Sequence, residues 1–425
     1  MSIISEYSMK KIFIWLTQNR TPRQTVLKNT FWLFAGQIGS RLLRAAIVIY
    51  AARVLGVSGW GAFSYALGVV TFLTVFSDIG INGLITREGS RNPTHQQSYL
   101  GSALMVKLLL LVVVMGVTLL IFPYLSNIAE ATALMPILLF VFAADTLRDL
   151  GSALSRALQK MQIEALLGIF TNAAIVGFGF LFLTLTPSGT SLAYAYALGS
   201  FIGLVGLVIT LRAHLRSIVS HMNFRRAGPI LKTAWPFGLM SMLGVIMLNT
   251  DIIMVGWMRG AEEVGYYSAA QKMLQLLYVL PSLFASSMFP LLTRLVQSSS
   301  LAARTLLERA ISLSILAALP LAVIGVIAGR FIIGLLFGAE YLPAVHTFQI
   351  LMTTLVFTFP SILIGNAIFA YGLERSFVRF VLLATFGNIG FNFLLIPRFG
   401  IEGAAFATLV TQIITDTAMW REMRR

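Results

Sequence analysis

Apolar side chains fill most of this chain in long blocks separated by short polar stretches. Twelve blocks can be drawn, at about 27–52, 60–83, 99–121, 131–151, 165–186 and 190–211, then at 234–257, 266–290, 311–333, 345–371, 378–396 and 402–420. Each is close to the roughly 20 residues that carry an α-helix across a bilayer. They are too long and too uniformly apolar for barrel strands, and in lipid a helix satisfies its backbone hydrogen bonds internally. The pattern predicts an all-α, polytopic membrane protein with twelve spans.

Composition sharpens this. Of the 425 residues, 57% are hydrophobic and 11% charged, against about 25% charged in a soluble domain. A dozen spans leave only about 185 residues for tails and connections, so no sizeable soluble domain fits. The net charge of +15 would suggest nucleic acid in a soluble protein, but its distribution points elsewhere. One side of the predicted membrane collects Lys10, Lys11, Arg20, Arg23, Lys28, Arg87, Arg91, Arg148, Arg156 and Lys160. It also takes the Arg212–Lys232 loop, Arg294, Arg304, Arg309, Arg375, Arg379 and the C-terminal arginines. The other side has only Arg53, Arg259 and Arg398. The positive-inside rule then places both termini in the cytoplasm, in a cytoplasmic (inner) membrane. Anionic lipid accounts for the basic surface without nucleic acid. The apolar run Ile12–Leu16 is too short for a signal-peptide core, so residues 1–26 read as an uncleaved cytoplasmic tail. The absence of cysteine excludes disulfides and thiolate-bound metal.

Sliding the chain by 204 residues brings Gly56, Gly61, Ser64 and Ala66 onto Gly260, Gly265, Ser268 and Ala270, with Phe63 on Tyr267. Both stretches join the first span of a six-span half to its second. The expected organisation is a six-helix lobe with a basic linker over 27–232 and a second lobe over 233–425. The lobes are related by a pseudo-twofold axis along the membrane normal. Polar residues agree in phase between the repeats. Ser64, Thr71, Thr74 and Asp78 share one face of the second span. Ser268, Gln271, Gln275, Tyr278, Ser282 and Ser286 share a face of the eighth. A polar stripe in lipid is unfavourable, so these faces are expected to line a central cavity, with direct helix-to-helix bonding as the alternative.

Charges inside the spans suggest what the cavity takes. Gln37, Ser40, Arg41 and Arg44 lie on one face of the first span, with Arg41 about 20 Å along the helix from Lys28. Two arginines at mid-membrane are costly and repel each other, and guanidinium binds phosphate or carboxylate bidentately. This favours an anionic substrate. The alternatives are an internal ion pair with Asp78 or Asp251, or snorkelling by Arg44. Lys272 adjoins the eighth-span stripe as a further cavity cation. Asp78 and Asp251 are candidates for proton or sodium coupling. Asp145, Arg148 and Asp149 form a local ion-pair cluster, while Lys107, Arg330 and Asp416 read as snorkelling or paired. No P-loop, His-Glu-x-x-His or Gly-x-Ser-x-Gly motif occurs, and no cofactor or catalytic constellation is expected.

Several stretches resemble a known family. They are Asn29–Leu33, Ala51–Gly56 with Gly61–Ala66, Asp78–Ile81 with Arg87-Glu88, Asp251–Gly256, Glu263–Ala270 and Phe289–Leu292. They are similar to the Wzx-type oligosaccharide flippases of polysaccharide biosynthesis. That family's superfamily also holds the multidrug and toxic-compound extruders and the lipid II flippase. The resemblance implies two six-helix lobes around a V-shaped cavity lined chiefly by spans 1, 2, 7 and 8. It implies a polyprenyl-pyrophosphate-linked oligosaccharide moved outward by alternating access for O-antigen, capsule or exopolysaccharide. Arg41 and Arg44 would hold the pyrophosphate, and the polar stripes would face sugar hydroxyls. A polysaccharide polymerase or ligase and a chain-length regulator would be its protein partners. The alternative functions are a drug/cation antiporter of the same superfamily and a non-transporting scaffold of a polysaccharide assembly complex.

Overall fold

The computed structural model describes residues 21–91, 96–219 and 227–424. The tail through residue 20 and the centre of the basic linker lie outside the described residues. The described residues fold into helices nearly throughout: α1 (Pro22–Asp78), α2 (Ile81–Arg91), α3 (Gln96–Leu125), α4 (Ala129–Ala157), α5 (Met161–Leu185), α6 (Gly189–Val219), α7 (Ala227–Arg259), α8 (Ala261–Leu277), α9 (Val279–Ser298), α10 (Ser300–Phe337), α11 (Val345–Ala370) and α12 (Glu374–Arg424). Ten continuous stretches among the described residues are long and apolar enough to cross a membrane. Two of them turn at an internal glycine, α1 at Gly56 and α12 at Gly400, so each holds two spans and the expected twelve are present. Spans 1 and 2 are the halves of α1, span 8 is α8 with α9, and spans 11 and 12 are the halves of α12.

The local reasons are visible in the sequence. Thr21 caps α1 by accepting from the Gln24 amide at 3.2 Å, with Pro22 in the first helical turn, where a missing N–H costs nothing. Gly56 and Gly260, matched by the 204-residue repeat, both have positive φ with extended ψ (66°, 179° and 96°, −173°), a region nearly confined to glycine. Span 8 breaks after Leu277, where Pro281 has no amide to return to that carbonyl.

The lobes meet at both faces of the membrane. At the face opposite the termini, a β-carbon on Gly61 would stand 1.8 Å from the Ala261 carbonyl oxygen, and one on Gly265 would stand 2.1 Å from that of Val57. These two contacts are images of each other under the 204-residue shift. On the terminal face Ile230 and Ala234 of α7 pack into the N-terminal lobe's core with Ile81, Leu84, Ile85 and Leu207. Gly80, at φ 83°, lets the turn after span 2 lie against the Ala234 carbonyl.

Inside the N-terminal lobe, Lys107 is 1% exposed and donates to Asp78 at 3.0 Å and to Asn82 at 2.8 Å. Lys107→Met would strand a carboxylate in the membrane, so it should cost about 3–5 kcal/mol. Adding Asp78→Asn should restore most of that. Thermal unfolding of both variants in detergent tests the pair.

Candidate substrate cavity

Between the lobes lies a cavity of about 380 Å³, lined by residues of spans 1, 2, 4, 7 and 8 with Ile175 of span 5 and Tyr196 of span 6. Arg41, Arg44, Lys272, Ser64, Thr71, Gln275 and Tyr278 all line it, together with Trp60, Tyr196, Asn249 and Arg148. Arg41 reaches across the lobe boundary and donates to the Gln275 carbonyl at 3.2 Å. That carbonyl lies in the last turn before the span 8 break, where helix carbonyls lack their usual partners. Arg44 donates to the Asn172 side chain at 3.3 Å. Among the described residues no carboxylate pairs with Arg41, Arg44 or Lys272. The one acid in the lining, Asp145, is engaged by Arg148 at 2.9 Å. Three uncompensated cations therefore face one polar chamber within the membrane, an arrangement that attracts and orients an anion.

Other expected positions fall elsewhere. Gln37 lines a smaller adjoining cavity of about 290 Å³ between spans 1, 4 and 5, which shares Arg41, Arg44 and Arg148 with the first. Thr74 turns its hydroxyl to the Thr71 carbonyl and does not line the central cavity. Ser268 is fully buried on the Gly265 carbonyl, and Gln271 donates to Leu248 on span 7. The first turns of the eighth-span stripe are thus packed away from the cavity, Ser268 bonded within its own helix and Gln271 bonded to span 7. Neither Asp78 nor Asp251 meets an arginine of the cavity. Asp78 pairs with Lys107. Asp251, 3% exposed, lies in the C-terminal lobe and accepts from Tyr267 at 2.6 Å, Asn392 at 2.7 Å and Thr408 at 2.7 Å.

Sequence reasoning missed Asn172, Asn249, Trp60 and Tyr196, which are isolated along their helices and belong to no periodic stripe. It also missed a clasp at the face opposite the termini. Tyr341 donates to the Ala52 and Gly56 carbonyls at 2.9 and 3.2 Å. Arg53 donates in return to the Leu336 carbonyl at 2.7 Å and to that of Leu335. Each lobe caps the other's helix end. Across the pseudo-twofold, Asn127 does the same for the Trp257 carbonyl at 3.1 Å.

Two six-span lobes closing on a polar, cationic chamber define a multi-pass membrane protein with a transporter fold. The family model described as "Polysaccharide biosynthesis protein" matches residues 26–296, and the chain belongs to that family. A second model, MatE, matches residues 236–394. Two similar proteins span nearly the same length. The Probable low-salt glycan biosynthesis flippase Agl15 of Haloferax volcanii is 23% identical over 391 residues, covering 90% of this chain and 80% of the relative. The Capsular polysaccharide biosynthesis protein CapF of Staphylococcus aureus is 21% identical over 396 residues, covering 92% and 97%. Among solved structures, the lipid II flippase MurJ in an inward closed conformation superposes with a TM-score of 0.78 at 18% identity, covering 92% of this chain and 87% of that one.

Proposed function

We propose that this protein carries a polyprenyl-pyrophosphate-linked oligosaccharide from the inner to the outer leaflet of the cytoplasmic membrane by alternating access, supplying surface polysaccharide synthesis. The observation that carries the reading is the trio Arg41, Arg44 and Lys272 in one interlobe cavity without a pairing carboxylate. A pyrophosphate supplies the missing negative charge, and Ser64, Thr71, Gln275 and Tyr278 offer hydrogen bonds to sugar. A drug/cation antiporter would need acids to dominate this chamber, and its one acid is already paired. The names of the relatives, a glycan flippase and a capsular polysaccharide protein, support the same direction. So does the basic face that carries the termini, which under the positive-inside rule is cytoplasmic.

The test is a deletion strain of the source organism. Mass spectrometry of its membranes should show accumulated polyprenyl-pyrophosphate glycans, with the surface polymer lost. Unchanged lipid-linked pools with a normal surface would overturn the reading.

Coupling to a cation gradient belongs to Asp251 rather than Asp78, whose charge is taken by Lys107. Asp251 is held by neutral donors alone, with the Asn392 side-chain oxygen beside it unpartnered. A proton or sodium ion can occupy this oxygen cluster. Asp251→Asn is expected to keep the protein folded and to remove the dependence of transport on an imposed proton or sodium gradient, measured in proteoliposomes. Retained dependence would exclude Asp251.

A further inference from the structure

The C-terminal lobe contains a second chamber, of about 370 Å³, that shares no lining residue with the substrate cavity. It lies between spans 7, 10, 11 and 12 in the half of the membrane nearer the termini. Its walls include Thr358, Ser361, Asn366, Gln412, Thr415 and Met419. Beside it Gln412 donates to Asp416 at 2.9 and 3.1 Å.

From this chamber a file of polar side chains continues between spans 11 and 12 toward Asp251. On span 12 it comprises Asp416, Thr415, Gln412, Thr411 and Thr408. On span 11 it comprises Thr385, Asn388 and Asn392. The spacings of three and four residues keep each set on one helical face. Thr408 to Asp416 covers about 12 Å of helix. At the Asp251 end the file is hydrogen-bonded: Asn392 donates to Asn388 at 3.0 Å, and Asn388 to Thr408 at 3.4 Å. Between that end and the chamber two of its hydroxyls are not. Thr411 and Thr415 are 3% and 5% exposed, their hydroxyls have no partner, and the Asn392 side-chain oxygen has none either. Threonines in helices ordinarily return the hydroxyl to a carbonyl one turn back, as Thr385 and Thr417 do here. A buried polar atom left unbonded costs about 1–3 kcal/mol, and two or three convergent ones are the usual setting of bound water.

We infer that spans 11 and 12 enclose a hydrated route for a small cation, leading from the chamber on the terminal face to Asp251. The coupling ion and the glycan would then use separate paths, one inside a lobe and one between the lobes. The inference rests on the proposed coupling role of Asp251.

The chain has no cysteine, so single cysteines report without background. In sealed vesicles, Thr415→Cys and Thr411→Cys should react with a small cationic methanethiosulfonate reagent added on the terminal face. The rates should be at least about tenfold above that of Ala407→Cys, a dry position on the same helix. Equal rates would overturn the route. A measurement on the unaltered chain guards against misfolded variants. Radiolytic hydroxyl-radical oxidation should attack Met419, 3% exposed at the chamber wall, faster than the equally buried Met352, and equal oxidation would again overturn the route. Should Asp251→Asn lose gradient dependence while both cysteines stay inert, coupling would stand and the route would fall. Should the cysteines react while Asp251→Asn keeps its gradient dependence, the hydrated passage would stand and coupling through Asp251 would fall.

Discussion

Replacing Arg41 and Arg44 together by alanine is expected to abolish flipping while leaving the protein at least as stable as the wild type. Hydrogen bonds to charged groups contribute about 1.5–3 kcal/mol each. Loss of one such bond from each guanidinium therefore weakens pyrophosphate binding by about 3 kcal/mol or more, on the order of 100-fold. Stability moves the other way. An arginine at mid-membrane costs at least about 2.5 kcal/mol to insert. Here it recovers only single bonds, at 3.2 Å to Gln275 and 3.3 Å to Asn172. A structural pair would unfold on removal, whereas a binding pair loses function and gains stability. Lysine at both positions should fall between, since it keeps the charge and loses the bidentate fork. Thermal unfolding, set beside flipping of a lipid-linked oligosaccharide in proteoliposomes, separates the cases. Wild-type transport by the double alanine variant would remove the anion site.

How much of this was legible in the sequence follows from what each signal depends on. Spans are set by the requirement that backbone hydrogen bonds close within apolar segments, a one-dimensional property, so all twelve could be placed. The repeat was equally readable, since Gly56 and Gly260 have to adopt the same backbone shape. Arg41 and Arg44 stood out because charge in lipid needs a reason. Polar phase was weaker. It put Ser64 and Tyr278 at the cavity, yet it could not tell that Ser268 would be buried on its own helix and Gln271 bonded to span 7. Asp78 with Lys107, and Asp251 with Asn392 and Thr408, are separated by 29, 141 and 157 residues. Such partners are set by the packing of whole helices, which no local pattern encodes. The Arg53–Tyr341 clasp escaped for the same reason, with neither residue belonging to a periodic face.

A valine at Gly61 should hold the lobes apart at the face opposite the termini. Its β-carbon would stand 1.8 Å from the Ala261 carbonyl oxygen, and an ordinary C···O contact needs about 3.3–3.6 Å. The two helices must therefore separate by about 1.5 Å before the rest of the side chain is fitted. Backbone meets backbone here, so no side chain can turn aside to relieve the clash. Separation also strains the Tyr341 bond to Ala52, contributing about 0.5–1.5 kcal/mol, and the Arg53 bond to Leu336, whose charged donor contributes up to about 1.5–3 kcal/mol. Together these terms reach several kcal/mol against the closed face, enough to shift a two-state equilibrium by 100-fold or more. With that face held open, the cavity is no longer sealed ahead of a substrate entering from the terminal side, and transport should be lost although the cationic site is intact. Gly265→Val should act alike through its contact with the Val57 carbonyl, the image of the Gly61–Ala261 contact across the pseudo-twofold. Gly59→Val should do little, because a β-carbon there meets only Leu55, at 3.4 Å. A cysteine at Ser64, 4% exposed beneath this contact, reports the opening. It should react with an impermeant thiol reagent from the face opposite the termini in the Gly61→Val and Gly265→Val backgrounds and stay protected with Gly59→Val. Protection in all three would mean that the glycine crossing packs the lobes without gating them.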